Sequence, residues 1–221
     1  MIGNFLVHVF VDLGTMWHAR HVFDVLTYRD ESAWNSLIIG YAKSCSPDIA
    51  LTLYGEMKDC KGIFPSSHLL VCLLNCCASM KDAEKGCELH DEIVKLGLAS
   101  DMFVGNALVD MYVKCGLTTK AHDLFDKLPS RDVVTWTTII AGYSELGYCE
   151  EALKWFELMQ IEGVFPNDVT YICCLKACGC IGAPGNGQVL HDDIVQKGLL
   201  ESNLVVANTL VDMYAKCGFL V

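Results

Sequence analysis

The chain has 221 residues, of which 52% are hydrophobic and 19% charged, a composition that excludes a disordered chain and supplies ample material for a buried core. Its 16 Lys and Arg against 27 Asp and Glu give a net charge of −11, which on electrostatic grounds counts against a nucleic-acid partner. Five prolines and 18 glycines are too few for a turn-rich all-β chain, and the longest apolar stretch, 69–80, is broken by Asn75 and falls short of the roughly 20 residues of a spanning helix, so no membrane partner is expected.

Taken in chain order, the sequence repeats itself. Ile2-Gly3-Asn4 through Arg29-Asp30 aligns without a gap on Val104-Gly105-Asn106 through Arg131-Asp132, and the stretch from Asn106 to Gly116 returns from Asn208 to Gly218, an offset of 102 each time. Each long period divides into three, giving repeats at 1–30, 31–66, 67–101, 102–132, 133–167, 168–203 and 204–221, the first and last incomplete. Within a repeat the apolar spacing is helical: Trp136, Ile139, Ile140 and Tyr143 fall at i, i+3, i+4 and i+7, and Ala152, Leu153, Phe156 and Met159 continue on a second helix beyond a turn at Gly147. Gly14, Gly116, Gly182 and Gly218 mark the same turn elsewhere. A lone hairpin cannot bury its apolar face, so neighbours must share a continuous core. The expected fold is all-α, a right-handed α-solenoid of stacked helix-turn-helix repeats in a single array, residues 1–221, without a linker.

Places are counted from the start of each repeat, the first repeat being held in register with 102–132. Place 20 holds only Ala or Gly (Ala19, Ala50, Gly86, Ala121, Ala152, Gly187), as a close approach of two helix backbones requires. Thirteen cysteines, with no secretory signal, point to a reducing compartment. The cluster Cys173, Cys174, Cys178 and Cys180 lacks a C-x-x-C spacing, so no metal is expected; Cys77/Cys178 and Cys115/Cys217 recur at equal places and read as core. His90-Asp91-Glu92 matches the H-x-E half of a zinc nucleobase deaminase, but its P-C-x-x-C half is missing and His191 recurs without the Glu, which makes this a packing histidine. No phosphate loop, nucleophile elbow or HExxH is present, so the chain is expected to be no enzyme and to need no cofactor.

Val133-Val-Thr-Trp-Thr-Thr-Ile-Ile-Ala-Gly-Tyr143, followed by Glu151-Ala-Leu-Lys-Trp-Phe-Glu-Leu-Met159 and Gly163-Val-Phe-Pro-Asn167, resembles the P-type pentatricopeptide motif. The repeat with Asn106-Ala-Leu-Val-Asp-Met-Tyr-Val-Lys-Cys-Gly116 resembles the S-type, and those with Leu175-Lys-Ala-Cys178 and Val189-Leu-His191 the L-type. Triplets of about 102 residues resemble the plant PLS subclass over the whole chain. That resemblance implies sequence-specific binding of single-stranded RNA in a mitochondrion or chloroplast, one base per repeat, as the recognition part of an RNA editing or processing factor whose catalysis comes from a further domain or from a deaminase or other editing protein acting in trans. The alternative is a protein-binding helical repeat scaffold. Both chain ends fall within a repeat and no transit peptide is evident, so the chain is expected to be a fragment.

By the same resemblance, the bases are read by place 5 and the last residue of each repeat: Asn4 with Asp30, Asn35 with Ser66, Asn106 with Asp132, Thr137 with Asn167, and Asn208 without its partner. The family code then implies U, C, U and A for the four complete pairs, and a target 5′-U-C-n-U-A-n-(pyrimidine)-3′. Val71 and Ile172 at place 5 of the L-type repeats make no such bond and are expected to read poorly. At place 2, Phe103, Val134, Val169 and Val205 are the expected stacking surfaces, and at place 13 Lys43, Lys114 and Lys216 the phosphate-facing residues, with Asp12 and Glu145 as local defects. Every repeat-ending residue is also a favoured N-cap type directly before a helix, so capping alone could explain these residues, and a cap and a base contact are compatible.

Overall fold

In a computed structural model the described residues are 2–44, 46–60 and 62–219. They form α1 (Ile2–Asp12), α2 (Met16–Val25), α3 (Glu31–Lys43), α4 (Pro47–Lys58), α5 (Ser67–Met80), α6 (Ala83–Lys95), α7 (Met102–Lys114), α8 (Thr118–Lys127), α9 (Val133–Glu145), α10 (Cys149–Ile161), α11 (Asp168–Ile181), α12 (Pro184–Gln196), α13 (Leu199–Ser202) and α14 (Leu204–Lys216), with no strand among the described residues. The helices α3, α5, α7, α9, α11 and α14 each begin on the first residue of a sequence repeat, because the residue before each is a capping Asp, Ser or Asn. The short α13 is one element that the hairpin pattern does not anticipate. None of the described helices is long and apolar enough to cross a membrane.

The chain forms two compact units, residues 1–124 and 125–221. In the first, α1, α3, α5 and α7 pack successively side by side, and α2, α4 and α6 each pack against the first helix of their own hairpin or of the next repeat. In the second, α9, α11 and α14 form the same ladder, with α10 packed on α9 and α11, and α12 on α11 and α14. First helices therefore build an inner layer in each unit, and second helices lie outside it.

The core repeats with the sequence. Trp34 meets Phe23 edge-to-face at 4.7 Å in the first unit, and Trp136 meets Phe125 in the same way at 4.8 Å in the second; both tryptophans are buried packing residues. Such ring pairs contribute about 0.5–1.5 kcal/mol beyond the area they bury. The four alanines at place 20 are wholly buried, and a Cβ added at Gly86 or Gly187 would collide with the thioether of Met111 or Met213 on the neighbouring first helix. Cys77 and Cys178 are buried, and the thiols of Cys115 and Cys217 each reach the carbonyl of Cys77 and Cys178 at 3.8 Å. Cys77 and Cys178 thus belong to the core, while Cys115 and Cys217 are half-buried at its edge. His90 Nδ1 bonds the Tyr112 hydroxyl at 2.6 Å, and His191 Nδ1 that of Tyr214 at 3.0 Å, while Glu92 accepts from the Tyr54 hydroxyl at 2.7 Å. Both halves of the H-x-E match are therefore engaged in helix packing.

Candidate nucleic-acid interface

The repeat-ending residues are N-caps. Asp30, Ser66, Asp101, Asp132 and Asn167 each accept the backbone N–H three residues on, at 2.9, 3.2, 3.0, 2.9 and 2.9 Å, and Asn203 accepts from Val205 and Val206. Asn167 closes a capping box with Thr170. The cap holds each of these side chains at the mouth of a first helix. It does not exhaust them.

In the first unit, Asn4 Nδ2 donates to Asp30 Oδ2 at 2.6 Å, on the carboxylate whose other oxygen caps α3. In the second, the Thr137 hydroxyl lies 2.6 Å from that of Thr170, which is itself 2.9 Å from Asn167 Oδ1. Two of the pairs named from the sequence are thereby joined, one directly and one through an intermediary. Asn35 and Ser66 are not joined directly; Asn106 and Asp132 lie in different compact units, and Asn208 is exposed on α14. Asn4, Asn106 and Thr137 are 7%, 9% and 7% exposed, and among the described residues the buried side-chain atoms without a hydrogen-bond partner are Oδ1 of Asn4, Asn35 and Asn106 and Nε1 of Trp34 and Trp136. All five sit at places 4 and 5. An unmet buried polar atom costs about 1–3 kcal/mol, so their concentration at one register position calls for an explanation.

Place 2 is the reverse of place 5. Phe103, Val134, Val169 and Val205 are all exposed, Phe103 by 74%, although apolar. In the first unit a cavity of about 860 Å³ brings together Ser32 and His68 of place 2, Asn35 of place 5, and Asp12 and Lys43 of place 13. The lysine track is partly neutralised: Lys114 pairs with Asp110 at 3.1 Å and Lys216 with Asp212 at 2.7 Å, each one turn back on its own helix. The first helices carry six acidic and four basic side chains, the second helices 14 acidic and seven basic. Most of the net negative charge therefore lies on the outer layer.

Sequence reasoning passed over Thr170 and its counterpart Thr135, whose hydroxyl donates to Asp132 Oδ1 at 3.0 Å. Both are fully buried at place 3, where the other repeats have Ile2, Ala33, Leu69, Val104 and Val206. A hydroxyl at an otherwise apolar place was the available signal.

The family model described as PPR repeat matches residues 32–61, 70–98 and 106–133, and the one described as PPR repeat family matches 131–180. A chloroplastic pentatricopeptide repeat-containing protein of Arabidopsis thaliana, DOT4, is 38% identical over 208 residues, covering 94% of this chain and 24% of its own length. A mitochondrial pentatricopeptide repeat-containing protein of the same plant is 35% identical over 219 residues, covering 99% and 21%. The chain spans about a third of these relatives' length or less. The pentatricopeptide repeat protein PPR10 from maize superposes with a TM-score of 0.75 at 21% identity over 96% of this chain and 31% of that one; its complex with an 18-nt psaJ RNA element superposes with 0.76 at 23% identity over 98% and 33%. The fold is that of the helical repeat solenoids, and the chain belongs to the pentatricopeptide repeat family.

Proposed function

We propose that the chain binds single-stranded RNA in a sequence-specific manner in a mitochondrion or chloroplast, as the recognition part of an RNA editing or processing factor of the PLS subclass. The observation that carries this reading is the set of buried, unpartnered amide oxygens at place 5 beside exposed apolar side chains at place 2. Amide oxygens seek a donor such as a base N–H, and flat or branched apolar groups seek the faces of bases. In the pair Asn4/Asp30 one amide hydrogen is spent on the carboxylate, so the unused hydrogen-bonding capacity of the pair is mainly acceptor, in Asn4 Oδ1 and the carboxylate lone pairs. An acceptor-rich pair suits the imino N–H of uracil. The chloroplastic and mitochondrial names of the relatives support the organelle, and the RNA bound by maize PPR10 supports the ligand class. A deaminase or other editing protein would act in trans on the bound RNA.

The acidic second helices support a protein-binding scaffold as the second reading. Titration against labelled RNA of sequence 5′-U-C-n-U-A-n-(pyrimidine)-3′ and against scrambled RNA, over a salt series, separates the two. Tighter binding of the designed RNA is expected; equal or absent binding to both overturns the reading. Asn106→Thr is expected to move the preference of its repeat from U toward G, and a preference that stays at U shows that place 5 does not read the base.

A further inference from the structure

We propose that Thr170 is a specificity-determining residue that fixes which groups Thr137 and Asn167 offer to a base, and so separates adenine from guanine at that repeat. The inference rests on the reading that this pair faces a base. It follows from counting protons in one buried network.

The orientation of the Asn167 amide is settled by its cap. The atom 2.9 Å from the Thr170 backbone N–H must be the carbonyl oxygen, since a second donor there would be repelled. The Thr170 hydroxyl, 2.9 Å from the same oxygen, must then donate to it, because a carbonyl oxygen only accepts. That spends the one proton of Thr170, whose lone pairs receive the Asn167 backbone N–H at 3.2 Å. Across the 2.6 Å contact the donor is therefore Thr137. Thr137 is left with lone pairs only, and Asn167 with the two hydrogens of its amide nitrogen, which bonds no other group among the described residues.

The pair thus presents a fixed acceptor beside a fixed donor. Adenine carries an amino donor next to an unprotonated ring nitrogen; guanine carries the opposite order, a carbonyl next to a ring N–H. A free threonine hydroxyl donates or accepts as needed, and an amide held by one bond turns over more readily than one held by two, so an unlocked pair accommodates both purines. The lock comes from the third residue. Thr170 is fully buried and bonded to both members of the pair, so it acts through them and is a positioning residue.

The test measures affinity for four RNAs that differ only at the fifth base of the designed target, for the unaltered chain and for Thr170→Ser and Thr170→Val. The unaltered chain and Thr170→Ser are expected to favour A over G by about tenfold or more, the range of one well-made base contact, and Thr170→Val to bring the two within about threefold while the preference at the first base is kept. Thr170→Cys, which keeps the volume with only a weak S–H donor, gives the same relaxation if Thr170→Val does not fold. An unaltered chain indifferent to the fifth base overturns the pair's reading role and this inference with it. An unaltered chain that favours A, with Thr170→Val and Thr170→Cys favouring it equally, overturns the role of Thr170 alone.

Discussion

The carboxylate of Asp30 is shared between two helices: one oxygen accepts the Ala33 amide at 2.9 Å and starts α3, and the other accepts the Asn4 side chain of α1 at 2.6 Å. Capping and base reading are thus two uses of one group. They respond differently to substitution. Asp30→Ala removes the cap and is expected to lower stability by about 1 kcal/mol, whereas Asp30→Asn keeps a cap of equal rank and is expected to stay within about 0.5 kcal/mol. Both are expected to lose the preference for uracil at the first base of the target. Urea melts and a four-base RNA panel measure the two effects separately; an Asp30→Asn chain that still favours uracil counts against the carboxylate as reader.

The intrahelical pairs at place 13 set the electrostatics. Asp110 and Asp212 lie beside Lys114 and Lys216, so the lysines offer phosphate less than a full charge. Replacing Asp212 by Asn costs little stability, because an exposed i, i+4 pair contributes only about 0.3–0.5 kcal/mol, and replacing the half-buried Asp110 costs more. RNA binding is expected to tighten, and the slope of log K against log salt to steepen by roughly 0.7 for each further phosphate neutralised. An unchanged slope would place these lysines away from the RNA backbone.

Much of this was legible in the sequence because repetition acts as an internal alignment. Place 20 showed only Ala or Gly, and the structure puts a neighbouring helix against Gly86 and Gly187 there. Cys77 and Cys178 are core for the same reason, and the half-buried His90 and His191 repeat one helix-packing hydrogen bond to a tyrosine. What repetition could not show is hydrogen-bond connectivity. Asn4/Asp30 and Asn35/Ser66 hold equivalent places in their repeats, yet only the first is joined, since a carboxylate has a second oxygen to spare after capping and a serine hydroxyl is shorter. The Thr170 network is not legible in the repeat pattern because its hydrogen bonds run between the start of one repeat and residues of the repeat before it. The partners of Lys114 and Lys216 were one helical turn away in the sequence, and weighing place 13 alone left them out.

Lys81 ends α5 in the left-handed region at φ 55°, where the equivalent Gly182 ends α11 at φ 64°. A side chain in this conformation costs roughly 1–2 kcal/mol, and glycine adopts it freely at the expense of a more flexible unfolded chain. Lys81→Gly is therefore expected to gain about 0.5–1 kcal/mol in a urea melt. The reciprocal Gly182→Ala is expected to lose a similar amount. A loss from Lys81→Gly would mean that the lysine makes a compensating contact.

Alkaline pH acts on the buried thiols. Burial pushes Cys77 up to about 12 and Cys76 and Cys178 up to about 11, from an ordinary thiol value near 9. Unfolding restores the ordinary value, so above it the unfolded chain holds fewer protons than the folded one, and stability falls as pH rises. The stabilisation is complete below about pH 9 and erodes between there and the folded-state values of about 11–12. Under reducing conditions, urea midpoints are expected to be flat from about pH 7 to 8.5 and to decline from about pH 9 upward. Combining Cys77→Ala with Cys178→Ala removes two of the titrating groups; it is expected to lower the midpoint at neutral pH through lost packing and to flatten the alkaline decline. A double variant that declines as steeply as the unaltered chain would assign the alkaline loss to the other buried groups, the thiols of Cys76, Cys149 and Cys174 and the hydroxyl of Tyr54, all of which burial also pushes up.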